Sequence, residues 1–202
     1  ASVFIVEKGT PGFTVGEIED LCGMRANPVS SLFFEDCRVP KENLIGREGD
    51  GLKIALIALD AGRIGIGAQA VGIAQAAYEA SLKYSKERQQ FSKPISSFQS
   101  IQNMLADMAT EVDAARLLVY RACARKDSGH AFGKEAAMAK LYASTVASRV
   151  TGNAVQIHGG YGYSREYDVE RYFRDAKVTE IYEGTSEIQR LVISKSILAE
   201  PV

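Results

Sequence analysis

One carboxylate in this sequence is placed where acid–base chemistry could use it. Glu183 is followed at once by Gly184 and then by Thr185-Ser186-Glu187-Ile188-Gln189-Arg190. Ser186 with Gln189 three residues on fits a capping box, and Ile188, Leu191, Val192 and Leu198 continue as an apolar helical pattern. Glu183 is therefore expected on a short break between two helices. Gly184 permits a sharp backbone turn or the close approach of a ligand. A carboxylate held beside unpaired helix N–H groups can act as a positioned base. It can equally be a surface cap, and spacing alone favours the cap.

Three further groups carry chemical potential. Asp60 and Arg63 flank Ala61-Gly62 and are three apart, so both can lie on one helix face. Arg88, in Glu87-Arg88-Gln89-Gln90-Phe91, offers a fork of donors that suits phosphate oxygens. A basic residue offsetting a helix C-terminus is the plainer alternative. Gln156-Ile157-His158-Gly159-Gly160 ends a helical pattern with two glycines, which allow a tight turn or backbone close to a ligand. His158 has no neighbouring ligand set and is a poor metal candidate; no metal site is expected. Gly65-Ile66-Gly67-Ala68-Gln69-Ala70 fits a dinucleotide fingerprint. That motif needs a preceding strand, whereas Leu52 to Asp60 reads as helix, so the match is rejected.

The chain has 202 residues, 46% of them hydrophobic, enough for a sizeable core. A net charge of -1 gives no reason to expect nucleic acid or an anionic membrane as partner. Cys22, Cys37 and Cys123 follow no metal spacing and read as reduced thiols of an intracellular protein. The longest apolar run, Ile54 to Leu59, is far too short to cross a membrane. The sequence opens with Ala1, directly in a strand-like run.

The elements that must position these groups fall into two parts. Ser2 to Val6, a run beginning at Phe13, and Ser31 to Val39 read as strands, the last ended by Pro40. From Gly49 the pattern turns helical. A first helix is expected from Gly51 to Arg88, with Gly62, Gly65, Gly67 and Gly72 inside it. A glycine in a helix costs roughly 1 kcal/mol against alanine, so close approach by a helix or a ligand is the expected reason. Phe98, Ile101, Leu105, Met108, Val112, Ala115, Val119 and Ala122 mark a second helix, which ends at Asp127-Ser128-Gly129. A third runs from about Lys134 to Ile157, with Met138, Leu141, Val150 and Ile157 as core residues. A fourth runs from Val169 to Ile181, and a last from after Glu183 to about Ala199. Short links favour antiparallel neighbours. The expected architecture is mainly α: an up-and-down helical bundle at 48–202, preceded at 1–47 by the end of a β domain.

Tyr182-Glu183-Gly184-Thr185-Ser186-Glu187-Ile188-Gln189-Arg190 resembles the signature of the acyl-CoA dehydrogenases, most closely the short-chain and short/branched-chain members. Gly23-Met24-Arg25, Phe34 to Pro40 and Leu44-Ile45-Gly46 resemble the last part of that family's middle β domain, so the resemblance covers nearly the whole chain. It implies that the family's N-terminal helical domain and the first part of the β domain lie outside these residues. It also implies FAD as cofactor and a homotetramer built as a dimer of dimers, each flavin held between subunits. Glu183 would remove the α-proton of a short-chain acyl-CoA while the β-hydrogen leaves as hydride. The backbone N–H of Glu183 and a flavin hydroxyl would bind the thioester oxygen. Asp60, Ala61, Gly62, Arg63 and Gly184 would contact the acyl-CoA. Arg88, Phe98, Gln99 and the loop Gln156, Ile157, His158, Gly159, Gly160 would hold a neighbour's flavin; Thr185, Ser186 and Glu187 would line their own. Relatives that carry the base on the first helix place it at the position of Gly62, and no glutamate lies between Asp60 and Ala70. Ser92 departs from the glycine usual after Phe91. Electron-transferring flavoprotein is the implied acceptor, and the mitochondrial matrix or a bacterial cytoplasm the implied compartment. An acyl-CoA oxidase, a glutaryl-CoA-type relative and a non-catalytic dimerisation module are the alternatives.

Overall fold

The computed structural model describes residues 1–200 and divides into two compact units, Ala1–Leu59 and Asp60–Val202. The first unit holds two small antiparallel pairs. β1 (Val3–Phe4) pairs with β4 (Leu44–Ile45), and β2 (Phe13–Ile18) pairs with β3 (Ser30–Phe34). Phe13 stacks on Phe34 with ring centroids 4.9 Å apart. β3 stops five residues short of the expected Val39. Asp36 there adopts φ +47°, which turns the chain out of the extended conformation. Leu32, Phe33 and Phe34 remain more than half exposed.

The second unit is a helical bundle. α1 (Gly51–Glu87) is continuous, with its first residues in the other unit; α2 (Gln99–Asp127), α3 (Gly133–His158), α4 (Val169–Val178) and α5 (Ser186–Leu198) follow. The unbroken α1 bears out the rejection of a dinucleotide fold at Gly65. The expected stripe of α2 is buried along Met108, Val112, Ala115, Val119 and Ala122. α3 is the central helix and packs on α2, α4 and α5. Its buried face is set by Ala136, Ala139, Ala143, Ala147, Val150 and Ala154, whereas Met138 and Leu141, expected in the core, are half-exposed. Alanine lets neighbouring backbones approach, so the small residues mark this interface better than the large ones do. α4 ends three residues before the expected Ile181. There the buried Thr179 hydroxyl donates to the Ala176 carbonyl at 2.7 Å, and turns lead on to Glu183.

Two features were not expected. A hairpin, β5 (Gln89–Gln90) with β6 (Lys93–Pro94), closes the end of α1 through Phe91 and Ser92, at φ +51° and +62°. Two consecutive left-handed residues make the turn whose twist suits a two-residue hairpin. In addition, α1 is long and apolar enough by length and composition to cross a membrane, with a stretch of mean hydropathy 1.5. This corrects the reading from run length, because Ile64, Ile66 and Val71 carry the apolar character on past the interruptions at Asp60 and Arg63. Ile64, Ala70, Val71, Ala74 and Ala77 of α1 are buried in the bundle, while only 28% of the apolar stretch is buried and Leu56 and Ile57 are exposed.

Candidate active site

Glu183 lies on the expected break, between α4 and α5, and both it and Gly184 are left-handed, at φ +54° and +89°. The capping assignment shifts by one residue. Thr185, not Ser186, is the N-cap of α5, and its hydroxyl accepts from the Ile188 N–H at 3.4 Å. Ser186 instead leans back on the Glu180 carbonyl through its N–H at 3.0 Å. Gln189 does not complete a capping box. Its fully buried amide reaches into the loop and donates to the carbonyls of Glu183 at 3.1 Å and Gly184 at 2.9 Å. The exposed Glu187 carboxyl is held below its usual range by its own backbone N–H and the Thr185 hydroxyl.

The turn aims the Glu183 carboxylate at α1. A Cβ built on Gly62 would lie 2.5 Å from Glu183 Oε2. Gly62 is thus a close-approach glycine of the expected kind, and so is Gly67, where a Cβ would meet Val119 at 3.2 Å. At Gly65 and Gly72 nothing among the described residues stands within 4 Å of a built Cβ. Glu183 Oε2 is buried and without a hydrogen-bond partner among the described residues. A buried, unpaired carboxylate oxygen is an expensive arrangement, and such exceptions call for a functional explanation. Tyr182 donates its hydroxyl to Gln69 Oε1, which ties the loop to α1 a second time.

One turn of α1 carries Asp60, Ala61, Gly62 and Arg63 together. Arg63 is buried and bonds Asp60 Oδ1 at 2.6 Å, while its Nε has no partner among the described residues. Asp60 also faces the start of α3, where a Cβ on Gly133 would lie 3.2 Å from Oδ2. A carboxylate beside a helix N-terminus is favourably placed, so this pair also has a role in holding the bundle.

A second site forms at the far end of α1. Arg88 and the Ile157-His158-Gly159-Gly160 loop line one cavity of about 530 Å³, with Tyr84 and Tyr161. The Arg88 guanidinium lies 5.3 Å from the Tyr161 ring centroid and has no carboxylate partner among the described residues. Gly159 is left-handed at φ +61°, and nothing stands within 4 Å of a Cβ built there or on Gly160. The His158 ring stacks on Tyr84 at 4.1 Å, and its Nδ1 donates to the Ala154 carbonyl at 2.8 Å. Burial lowers its pKa, against the opposing pull of the Ala154 hydrogen bond, and the ring forms one wall of the cavity. Gln156, Phe98 and Gln99 do not line the cavity; Phe98 instead packs against Phe91 and the Lys93 ammonium. A guanidinium with no carboxylate partner among the described residues, open glycines and an aromatic wall suit a phosphate-bearing nucleotide, so the residues present fit part of FAD.

The residue that sequence reasoning missed is Lys140. It is fully buried on α3, and its ammonium donates to the Gly184 carbonyl at 2.8 Å. The available signal was positional: it lies four residues after Ala136 and three before Ala143, on the apolar stripe.

A helical bundle with a carboxylate on an inter-helix turn, and a separate anion-compatible groove, defines a class of ligand-handling domain. Residues 49–198 match the family described as acyl-CoA dehydrogenase, C-terminal domain, and the chain belongs to that family. It is 56% identical over 197 residues to acryloyl-CoA reductase (NADH) of Anaerotignum propionicum, covering 98% of this chain and 50% of that protein. It is similar to the butyryl-CoA dehydrogenase structure from Megasphaera elsdenii, with TM-score 0.96 and 54% identity over 98% of this chain and 51% of the other. A chain in a structure described as the electron transferring flavoprotein of Acidaminococcus fermentans gives TM-score 0.97 and 56% identity, covering 98% and 52%. The chain spans about half the length of the curated relatives it matches.

Proposed function

We propose that the whole protein is an FAD-dependent short-chain acyl-CoA dehydrogenase and that Glu183 is its base. The observation that carries this reading is the buried, unpartnered Glu183 Oε2 facing Gly62. The Glu183 carboxylate takes the proton from the substrate α-carbon, and the C–H electron pair becomes the new α,β double bond. Bound flavin supplies the acceptor for the hydride that leaves the β-carbon. The Glu183 N–H would donate to the thioester oxygen, where charge builds up as the α-proton departs. The Asp60–Arg63 turn and Gly184 would contact the acyl-CoA. Thr185, Ser186 and Glu187 would face the flavin of their own subunit. A short acyl chain is supported by the butyryl-CoA dehydrogenase relative.

Arg88 and the 157–160 loop would hold the phosphate-bearing part of a flavin whose ring sits at another subunit's Glu183. The spacing supports this. A helix rises ~1.5 Å per residue, so Gly62 and Arg88 are roughly 40 Å apart along α1, too far for one cofactor to bridge within one chain. Gln156, Phe98 and Gln99 would join from the partner side, in a dimer of dimers. Residues 1–47 are assigned to the end of a middle β domain, which would cover the exposed apolar strands, and residues 48–202 to the bundle; its last two residues lie outside those described. Electron-transferring flavoprotein is the proposed electron acceptor, in keeping with the related structure named for it. The proposed compartment is soluble, a bacterial cytoplasm or a mitochondrial matrix.

The test is anaerobic mixing of the full-length protein with butyryl-CoA. Bleaching of the flavin band with formation of the trans-2-enoyl product supports the reading. Absence of reduction, or release of peroxide in place of electron transfer, counts against it.

A further inference from the structure

Lys140 is a costly residue to bury. It has no exposed surface, and it lies on a helix face otherwise built from Ala136, Ala139, Ala143 and Ala147. An ammonium withdrawn from water is strongly disfavoured unless a carboxylate pairs with it. Lys140 forms no such ion pair among the described residues; its hydrogen bond goes to the carbonyl of Gly184 at 2.8 Å. Glu180, Glu183 and Glu187 act at longer range to favour its charge, and Arg63 opposes it. A methionine would fill the same space without the cost of desolvation. What it could not do is hold the carbonyl.

That carbonyl belongs to a backbone that needs holding. Glu183 and Gly184 are both left-handed, and for a glutamate this conformation persists only where the surroundings enforce it. The Gly184 carbonyl takes two donors, Lys140 Nζ and Gln189 Nε2, and Gln189 also grips the Glu183 carbonyl. Both donor side chains are fully buried, one on α3 and one on α5. The turn is therefore clamped from two helices, and its outward face carries the carboxylate against Gly62.

We infer that Lys140 is a positioning residue for the dehydrogenation: by holding the Gly184 carbonyl it fixes the left-handed Glu183–Gly184 turn that aims the carboxylate. The inference rests on Glu183 being the base. In the full-length, flavin-loaded enzyme, Lys140→Met loosens the turn without removing the base. A misplacement on the order of 1 Å costs up to about 10²-fold, so kcat falls by ~10–10² while KM for butyryl-CoA stays within about threefold. Amide exchange of residues 181–190, read by mass spectrometry, quickens, while α2 and the rest of α3 keep their protection. Both changes together support the assignment. Unchanged kcat, unchanged exchange at 181–190, or an even loss of protection across α2 and α3 each overturns it, the last by showing a packing role. If Lys140→Met does not accumulate as holoenzyme, Lys140→Gln carries the same comparison. Glu183→Gln, run alongside, separates the two readings. Continued flavin reduction in that variant removes the base assignment, whereas the exchange of 181–190 in the lysine variant reports on the clamp alone.

Discussion

The Glu183 carboxylate rests against the α-carbon of Gly62, so closely that one added methyl group would lie 2.5 Å from its Oε2. Helix α1 and the Glu183 turn are matched at this point, and the match allows no side chain at position 62. Gly62→Ala should therefore separate activity from stability. The atom that must give way is the end of a flexible side chain, and alanine is the better helix former by roughly 1 kcal/mol. The variant should melt no lower than the parent yet lose about 10²-fold in kcat/KM, because the displaced carboxylate no longer meets the α-proton. Thermal melts and steady-state rates on the full-length protein check both halves.

Glu183→Gln keeps the size of the side chain and removes the proton acceptor. Flavin reduction should slow by at least ~10²–10⁴. Acyl-CoA should still bind, since the proposed contacts at Asp60 and Arg63 are untouched, and a spectral shift without bleaching would show it. Glu183→Gly combined with Gly62→Glu empties that space before refilling it with a carboxylate and should restore part of the rate. Near-normal reduction by Glu183→Gln alone would mean that another group takes the proton.

Arg88→Ala should weaken flavin retention and leave helical content intact. The guanidinium has no carboxylate partner to strand among the described residues, so its loss should not disturb α1. Equilibrium dialysis of flavin and far-ultraviolet circular dichroism report the two quantities. Unchanged flavin affinity would reduce Arg88 to a helix-end charge.

Ser92 sits at φ +62° in the hairpin turn, a conformation that costs most side chains about 1 kcal/mol and glycine almost nothing. Ser92→Gly should raise stability by up to that amount. Denaturant midpoints at constant m would record it.

Burial, the main cause, lowers the Lys140 pKa from 10.5 to about 8. Between those values the unfolded chain holds a proton that the folded chain has released. This contribution to stability therefore rises with pH across that window. Tyr84 and Tyr182, whose pKa values burial raises, act in the opposite sense once unfolded tyrosines ionise. The clean range is thus from about pH 8 to about pH 9.5. The melting temperature of the parent should rise relative to that of Lys140→Met as pH rises across it. A constant difference would contradict the assigned titration.

The bundle was legible where large apolar residues kept a strict spacing, as along α2. On α3 the same reasoning chose Met138 and Leu141, because an alanine-rich helix has several nearly equivalent faces and bulk is a poor guide among them. Thr185 and Ser186 are adjacent and both able to cap, so the pattern alone could not set the register. The β5–β6 hairpin was hidden because Phe91-Ser92 lacks the Asn-Gly character that usually announces such a turn. Of the site, the Glu183 break and the need for a close approach at Gly62 were readable. Lys140 was not, because one lysine in a helix ordinarily points to water, and only the packing of α3 shows otherwise.

The length of α1 has a genetic consequence. If Arg88 serves a neighbour's flavin while Glu183 serves its own, neither lesion destroys every site in a mixed population of chains. An Arg88→Ala chain assembled with a Glu183→Gln chain leaves one combination in which an intact carboxylate meets an intact guanidinium. Two inactive alleles expressed together would then yield active enzyme, and two alleles damaged at the same end of the helix would not.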